Sequence, residues 1–138
     1  MDRRGLQTLT RDRLADARTL LRAHRYSASY YMAGYAVECA LKACIAKQTK
    51  RHDFPDKKIA NDSYTHDITR LVGIAGLKIE LDTVHAFDKT FERHWRVVCN
   101  WSEEDRYNLS ISSEDALELY NAITTRRSGV MTWLRNHW

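Results

Sequence analysis

Residues 27–47 read SASYYMAGYAVECALKACIAK, a run almost wholly apolar or small that nonetheless carries a glutamate and a lysine four residues apart, Glu38 and Lys42. Tyr31, Val37, Leu41 and Ile45 recur at roughly helical spacing, Ser27 stands where an N-cap would, and Gly34 with the alanines lets a neighbouring helix come close. The stretch therefore predicts a central, mostly buried helix. On it Glu38 and Lys42 share a face. An exposed pair of this order and spacing adds only about 0.2–0.5 kcal/mol to a helix. A buried one changes the stakes, because a lone charge in the core is costly and the pair, or a partner or ligand for it, becomes necessary.

The surrounding composition is that of a helical protein. Proline occurs once, at Pro55, and glycine five times in 138 residues, so little interrupts the runs of Ala, Leu, Arg and Glu, all good helix formers. With 43% hydrophobic residues the length suits one core. A single domain over residues 1–138 is expected, since a second would be undersized. No uncharged apolar run reaches the roughly 18 residues of a membrane span, and MDRRGLQTLTRDR at the N-terminus has no signal-peptide core. The reading is a cytoplasmic protein without a membrane partner. Cys39, Cys44 and Cys99 form no C-x-x-C pair and are read as reduced core residues.

Outward from the central helix, Leu14, Ala17, Leu21 and His24 are spaced by three and four, which predicts a first helix from about Thr10 to His24, with Leu6 and Leu9 able to extend it backwards. Residues 48–65 are polar, hold Pro55 and Asn61-Asp62-Ser63, and are read as the main loop. Thr65 is placed as the cap of a short third helix over Asp67–Ala75, with Asp67 in its first turn and Gly76 just past its end. Val84, Phe87, Phe91, Trp95 and Val98 step by three and four, predicting one amphipathic helix from about Glu80 to Val98. Asn100–Ile111 reads as a loop. Ser112 and Asp115 stand in capping-box register for a last helix that buries Ala116, Tyr120, Ile123, Val130 and Leu134 and passes through Gly129. The fold class is all-α: an antiparallel four-helix up-and-down bundle with one additional short helix.

Charge is unevenly placed. Residues 1–25 hold seven arginines against three aspartates, an excess that equals the whole net charge of +4. Attraction for phosphate should centre on the first helix, against the plainer reading of a solvated helix face. Other chemistries lack their residues. The six histidines form no H-x3-H or H-E-x-x-H pattern, so no metal site is expected. Neither a Gly-rich phosphate loop, a nucleophile elbow nor a Ser/His/Asp order is present, and no cofactor is implied. In the loop before the last helix, Arg106-Tyr107 offers a guanidinium that could fork onto a phosphate or onto the Glu38 carboxylate; the second would explain how an apolar helix tolerates that charge. Trp101, beside these residues, is read as packing the loop down, with base stacking worth about 1–3 kcal/mol per base as its functional alternative. Trp95 and Trp133 are placed in the core or a dimer interface.

The order of these features resembles the HEPN family of small helical bundle proteins: an arginine-bearing first helix, YYMAGYAVECALKA with Glu38, Leu41 and Lys42, then His66-Asp67-Ile68 with Leu71, then Arg106-Tyr107 before a capped final helix. The likeness covers about residues 10–135. It implies nucleotide or RNA chemistry, a homodimer, and action beside a small nucleotidyltransferase, with Glu38, Lys42, Trp101, Arg106 and Tyr107 lining a nucleotide- or partner-binding cleft. Some members of such families are metal-independent endoribonucleases. In those, an Arg and a His four to six residues apart near the last helix hold the phosphate and assist attack by the ribose 2′-OH. Here Arg106, Arg126 and Arg127 start no such pair. Arg18 and His24, with five residues between them, match the spacing in the first helix instead, but fifteen arginines and six histidines generate about two such matches by chance. The resemblance therefore implies a binding protein without nuclease activity. The alternatives are a ribonuclease toxin of a toxin–antitoxin pair using Arg18 and His24, and a structural dimerisation module in which Glu38, Lys42 and Arg106 form an internal network.

Overall fold

A computed structural model describes residues 1–49, 54 and 56–138. Pro55 and residues 50–53 of the expected loop lie outside the described residues. Those described form α1 (Arg3–Arg22), α2 (Tyr26–Lys47), α3 (Lys57–Asp62), α4 (Ile68–Ile74), α5 (Lys78–Phe87), α6 (Lys89–Cys99), a 3-10 turn (Glu103–Tyr107), α7 (Ser113–Thr124) and α8 (Val130–Arg135), with no strand among them. The architecture is the expected all-helical bundle. None of these helices is long and apolar enough to cross a membrane.

Helix α2 is the centre, packed against α1, α4, α7, α8 and the 3-10 turn. Its small residues explain how so many elements reach it: Ala33, Ala36, Ala40 and Ala43 are fully buried, as is Ala17 opposite them on α1. The buried Ser29 hydroxyl donates to the Ala17 carbonyl at 2.8 Å and ties the two helices together. Helices α1 and α2 form an antiparallel hairpin closed by a three-residue turn. The His24 N–H donates to the Leu21 carbonyl and the Arg25 N–H to the Leu20 carbonyl, a Schellman motif with His24 at φ +60° in the place glycine usually takes. Consequently α1 ends before His24, and α2 starts at Tyr26 with Arg25 as an N-cap that makes no side-chain bond. Ser27 is not the cap. At its other end α1 reaches back to Arg3, because Asp2 accepts from the Gly5 N–H at 2.8 Å.

Local capping signals translate directly. Asp67 caps α4 by accepting from the Arg70 N–H at 3.0 Å, Thr65 in turn accepts from Asp67 at 3.2 Å, and Gly76 at φ +69° closes α4 with a second Schellman motif. Ser112 and Asp115 form the capping box of α7. Within the expected 48–65 loop, Asp56 caps the short α3 instead.

Two predicted helices are each divided. The run from Glu80 to Val98 breaks at Asp88, whose backbone is extended and whose carboxylate accepts from the Phe91 N–H at 2.9 Å and from the Ser128 hydroxyl at 2.7 Å. The break rotates Phe87 out to 87% exposure, while Phe91, Trp95 and Val98 enter the core. The last helix likewise stops at Thr124 and resumes at Val130. A Cβ at Gly129 would lie inside 3.0 Å of the Thr125 and Ile123 carbonyl oxygens, so only glycine fits this tight turn. Leu119, rather than the half-buried Tyr120, fills the core from α7. Cys39 and Cys44 are buried, and burial pushes their thiols up to about 11 and about 12. Cys99 is exposed and is not a core residue.

The Asp88 joint carries a pH signature. The Phe91 N–H, with the Ser128 hydroxyl second, holds its carboxyl below the ordinary value of 3.8. A carboxyl lowered in the folded state contributes stability that is present above 3.8 and lost as pH falls through the lowered value. Asp88→Asn is expected to flatten the acid limb of the thermal stability curve below about pH 4 and to leave its slope at neutral pH unchanged, read by melting at successive pH values.

Candidate functional site

The Glu38 carboxylate is 1% exposed in the middle of α2. Its Oε1 accepts from Lys42 Nζ at 2.8 Å and lies 2.8 Å from His66 Nδ1. His66 Nε2 lies 2.9 Å from Glu103 Oε2 on the 3-10 turn. A neutral imidazole has one N–H and can donate to only one of these carboxylates; the imidazolium donates to both. Glu38 Oε2 has no partner among the described residues. The expected charge cluster therefore exists around a buried carboxylate, but its third member is His66. Arg106 is exposed, with its guanidinium 4.7 Å above the Tyr107 ring. The predicted Glu38–Arg106 contact is not formed: Lys42 and His66 are the partners of the carboxylate, and the guanidinium lies over Tyr107 at the surface. With it goes the expectation that removing Arg106 would leave a buried charge unpaired.

Trp101 is 3% exposed and inserts against α2 where Gly34 leaves room: a Cβ at position 34 would lie inside 3.0 Å of the indole. The indole stacks on Tyr31 at 6.0 Å, and Tyr31 stacks on Tyr35 at 6.1 Å with their planes only 2° apart. Buried in this way, Trp101 cannot offer a face to a nucleobase. It backs Tyr31, which can.

Tyr31 opens into a groove of about 560 Å³ at the corner where α1 turns into α2, lined also by His24, Arg25, Tyr26, Arg106 and Asn108 and by the apolar Met32, Leu109 and Ile111. Arg25, Tyr26 and Tyr31, close together in sequence, thus meet the distant Arg106 in one concavity. The ring of His24 is held by a 2.7 Å bond between Nδ1 and the Tyr26 hydroxyl. Its left-handed backbone is of the kind seen at functional sites, since a non-glycine residue there is held against about 1–3 kcal/mol of strain. Across Asn108 and Ile111 the surface changes sign: Asp105, Asp115 and Glu118 surround Tyr30, whose hydroxyl is pushed up to about 12 by burial first and those carboxylates second. An anion is therefore directed to the Arg25 and Arg106 side.

The candidate residues fall into three places. Arg106 lines the groove, and Tyr107, beneath its guanidinium, is outside the lining. Glu38 and Trp101 lie beneath the surface. Lys42, about 16 Å along α2 from Tyr31, faces a separate apolar concavity with Ile45, Ile59 and Tyr64. Arg18 sits on α1 and His24 in the turn beyond it, so the pair does not share a helix as expected. Arg25, Tyr26 and Tyr31 are groove residues that the sequence reading did not select as site residues. The signal available for them was the arginine excess beside an aromatic run. Among the described residues no three His, Cys, Asp or Glu side chains gather as a metal site.

The HEPN domain family model matches residues 10–125. No curated protein and no solved structure matches the chain. The match spans most of the sequence, and the chain belongs to the HEPN domain family, whose association is with nucleotide and RNA chemistry.

Proposed function

We propose that the protein binds a nucleotide or RNA in the groove at the α1–α2 corner and does not cleave it. Arg106 and Arg25 receive the phosphate, and Tyr31 and Tyr26 supply ring faces for the base. The observation that supports this reading is the exposed guanidinium of Arg106, without a carboxylate partner among the described residues, at the rim of an open groove with a second arginine and two tyrosines. Glu38 acts here as a positioning residue: through His66 it fixes Glu103, and with it the 3-10 turn that carries Arg106. The proposal extends to a homodimer working beside a small nucleotidyltransferase, for which Leu109, 91% exposed at the groove, offers a contact.

Because Trp101 stacks beneath Tyr31, a base landing on Tyr31 should change tryptophan fluorescence. Titration with nucleoside monophosphates and short RNA is expected to give a saturable change that Arg106→Ala weakens at least tenfold. The melting temperature of that variant should stay at the wild-type value, since the side chain is exposed. No response to any nucleotide or RNA would overturn the reading.

One observation favours a metal-independent endoribonuclease as the second reading: His24 lines the same groove as Arg25 and Arg106. With Nδ1 engaged by Tyr26, Nε2 is the nitrogen left to take a proton from a ribose 2′-OH while an arginine holds the phosphate. RNA cleavage in EDTA that is lost in His24→Ala supports this reading, and intact RNA removes it.

A further inference from the structure

We infer that the outer ridge of α1 is a second nucleic-acid contact surface, which holds the phosphates of a single-stranded RNA whose terminal nucleotide occupies the groove. The inference rests on the groove reading only for that last nucleotide. Arg4, Arg11 and Arg18 are seven residues apart and Arg22 follows four later. At 100° per residue a seven-residue step returns to within about 20° of its start, and Arg22 is five whole turns from Arg4, so the four guanidiniums form one line along the helix. All four are exposed, and so are Thr8 and Ala15, the uncharged residues between them on the same face.

No described residue neutralises the ridge. Among the described residues none of the four has a carboxylate partner; the ion pair on this helix joins Arg13 to Asp16 at 2.9 Å, off the ridge. Arg11 does lie 5.2 Å over the Trp138 ring, a contact that orients a guanidinium without cancelling its charge. A helix held in place only by packing needs no such row. Charge on an exposed face for solubility would serve as well if mixed in sign, as it is on α6, where Glu92 takes both Lys89 and Arg96.

Position and length identify the occupant. From Arg4 to Arg22 the ridge runs about 27 Å, which spans about eight phosphates at the 3.4 Å per charge of one stacked strand. It ends where His24 and Arg25 enter the groove. A polyanion on the ridge is thus delivered to the half-buried Tyr26 and Tyr31 rings that line the groove, which suit unpaired bases and offer nothing to a duplex or an acidic peptide. The ligand is accordingly an RNA strand of about eight nucleotides or more.

The test compares a nucleoside monophosphate, a 12-nucleotide unstructured RNA and an oligoglutamate of equal charge, each over a series of salt concentrations. The RNA is expected to bind more tightly than the monophosphate, with a log–log salt slope about 3 units steeper from four released counterions, equivalent to roughly a 50-fold loss between about 50 and 200 mM salt. The variant Arg4→Gln, Arg11→Gln, Arg18→Gln, Arg22→Gln should lose that extra slope and keep wild-type affinity for the monophosphate. A charge-matched control, Lys57→Gln, Lys58→Gln, Lys78→Gln, Lys89→Gln, should retain the slope. Equal losses in both variants, equal binding of oligoglutamate, or RNA binding no tighter than the monophosphate each overturns the ridge. If the monophosphate fails to bind while RNA binding still depends on the ridge, the ridge stands and the groove reading falls.

Discussion

Trp101→Ala is expected to lower the free energy of unfolding by about 3–5 kcal/mol, the range for deleting a large aromatic side chain from a packed core. The indole lies in the loop after α6, yet it is 3% exposed, because Gly34 opens a slot in α2 that any Cβ would close. Two consequences separate this from ordinary loop packing. Gly34→Ala alone should also destabilise, by about 1–3 kcal/mol, although alanine is the better helix former, because overpacking the slot outweighs a propensity gain of about 1 kcal/mol. In the double variant the two losses should fall short of their sum, since the new methyl group occupies part of the space the indole has left. Urea unfolding of the two single variants and the double measures this. Additive losses, or a Trp101→Ala cost under about 1 kcal/mol, would show that the loop is not anchored by this side chain. Tyr31, without the indole beneath it, should also lose its fixed orientation, so nucleotide affinity should fall in Trp101→Ala although no groove-lining residue has changed.

What the sequence discloses here depends on how local the cause is. The buried character of α2, the closing glycine at position 76 and the Ser112–Asp115 capping box are each decided within a few residues and are readable; the α4 cap is Asp67, two residues after the Thr65 expected there. The break at Asp88 was not, because Val84, Phe87 and Phe91 keep helical spacing straight across it. What breaks the helix is a side-chain cap whose second bond comes from Ser128, 40 residues away. Of the site, the need for a partner to Glu38 was legible from burial alone, whereas its identity was not. His66 comes from 28 residues further along the chain, and the exposed arginine of the 3-10 turn fits the same pattern in sequence. Gly34 was read as the place for a helix to approach; an indole from a loop takes it. Pairings across the fold are set by packing geometry, which periodicity does not record.

The same asymmetry between buried and exposed charge gives the second large effect. Lys42→Met should destabilise the protein by about 1.5–3 kcal/mol, since it takes one of two hydrogen-bonding partners from a charge held in the core and leaves His66 as the other. Glu38 is that charge. Its side chain is 2% exposed, while those of Lys42 and His66 are 21% and 46% exposed, so only the carboxylate cannot turn to water when its partner goes. Glu38→Gln should therefore cost less than Lys42→Met, although both remove the Lys42 ion pair: it takes the charge out of the core and leaves Lys42 and His66, both of which can reach solvent. Combining them should be milder than their sum, with a coupling of about 1–3 kcal/mol. Function should respond in a different order. Glu38→Gln weakens the hold of His66 on Glu103 and so loosens the 3-10 turn under Arg106, whereas Lys42→Met leaves the Glu38–His66–Glu103 chain in place. Nucleotide affinity of the folded protein should thus fall more in Glu38→Gln, the more stable of the two variants. If stability and affinity instead fall in the same order, the buried carboxylate supports the core alone and does not position the groove.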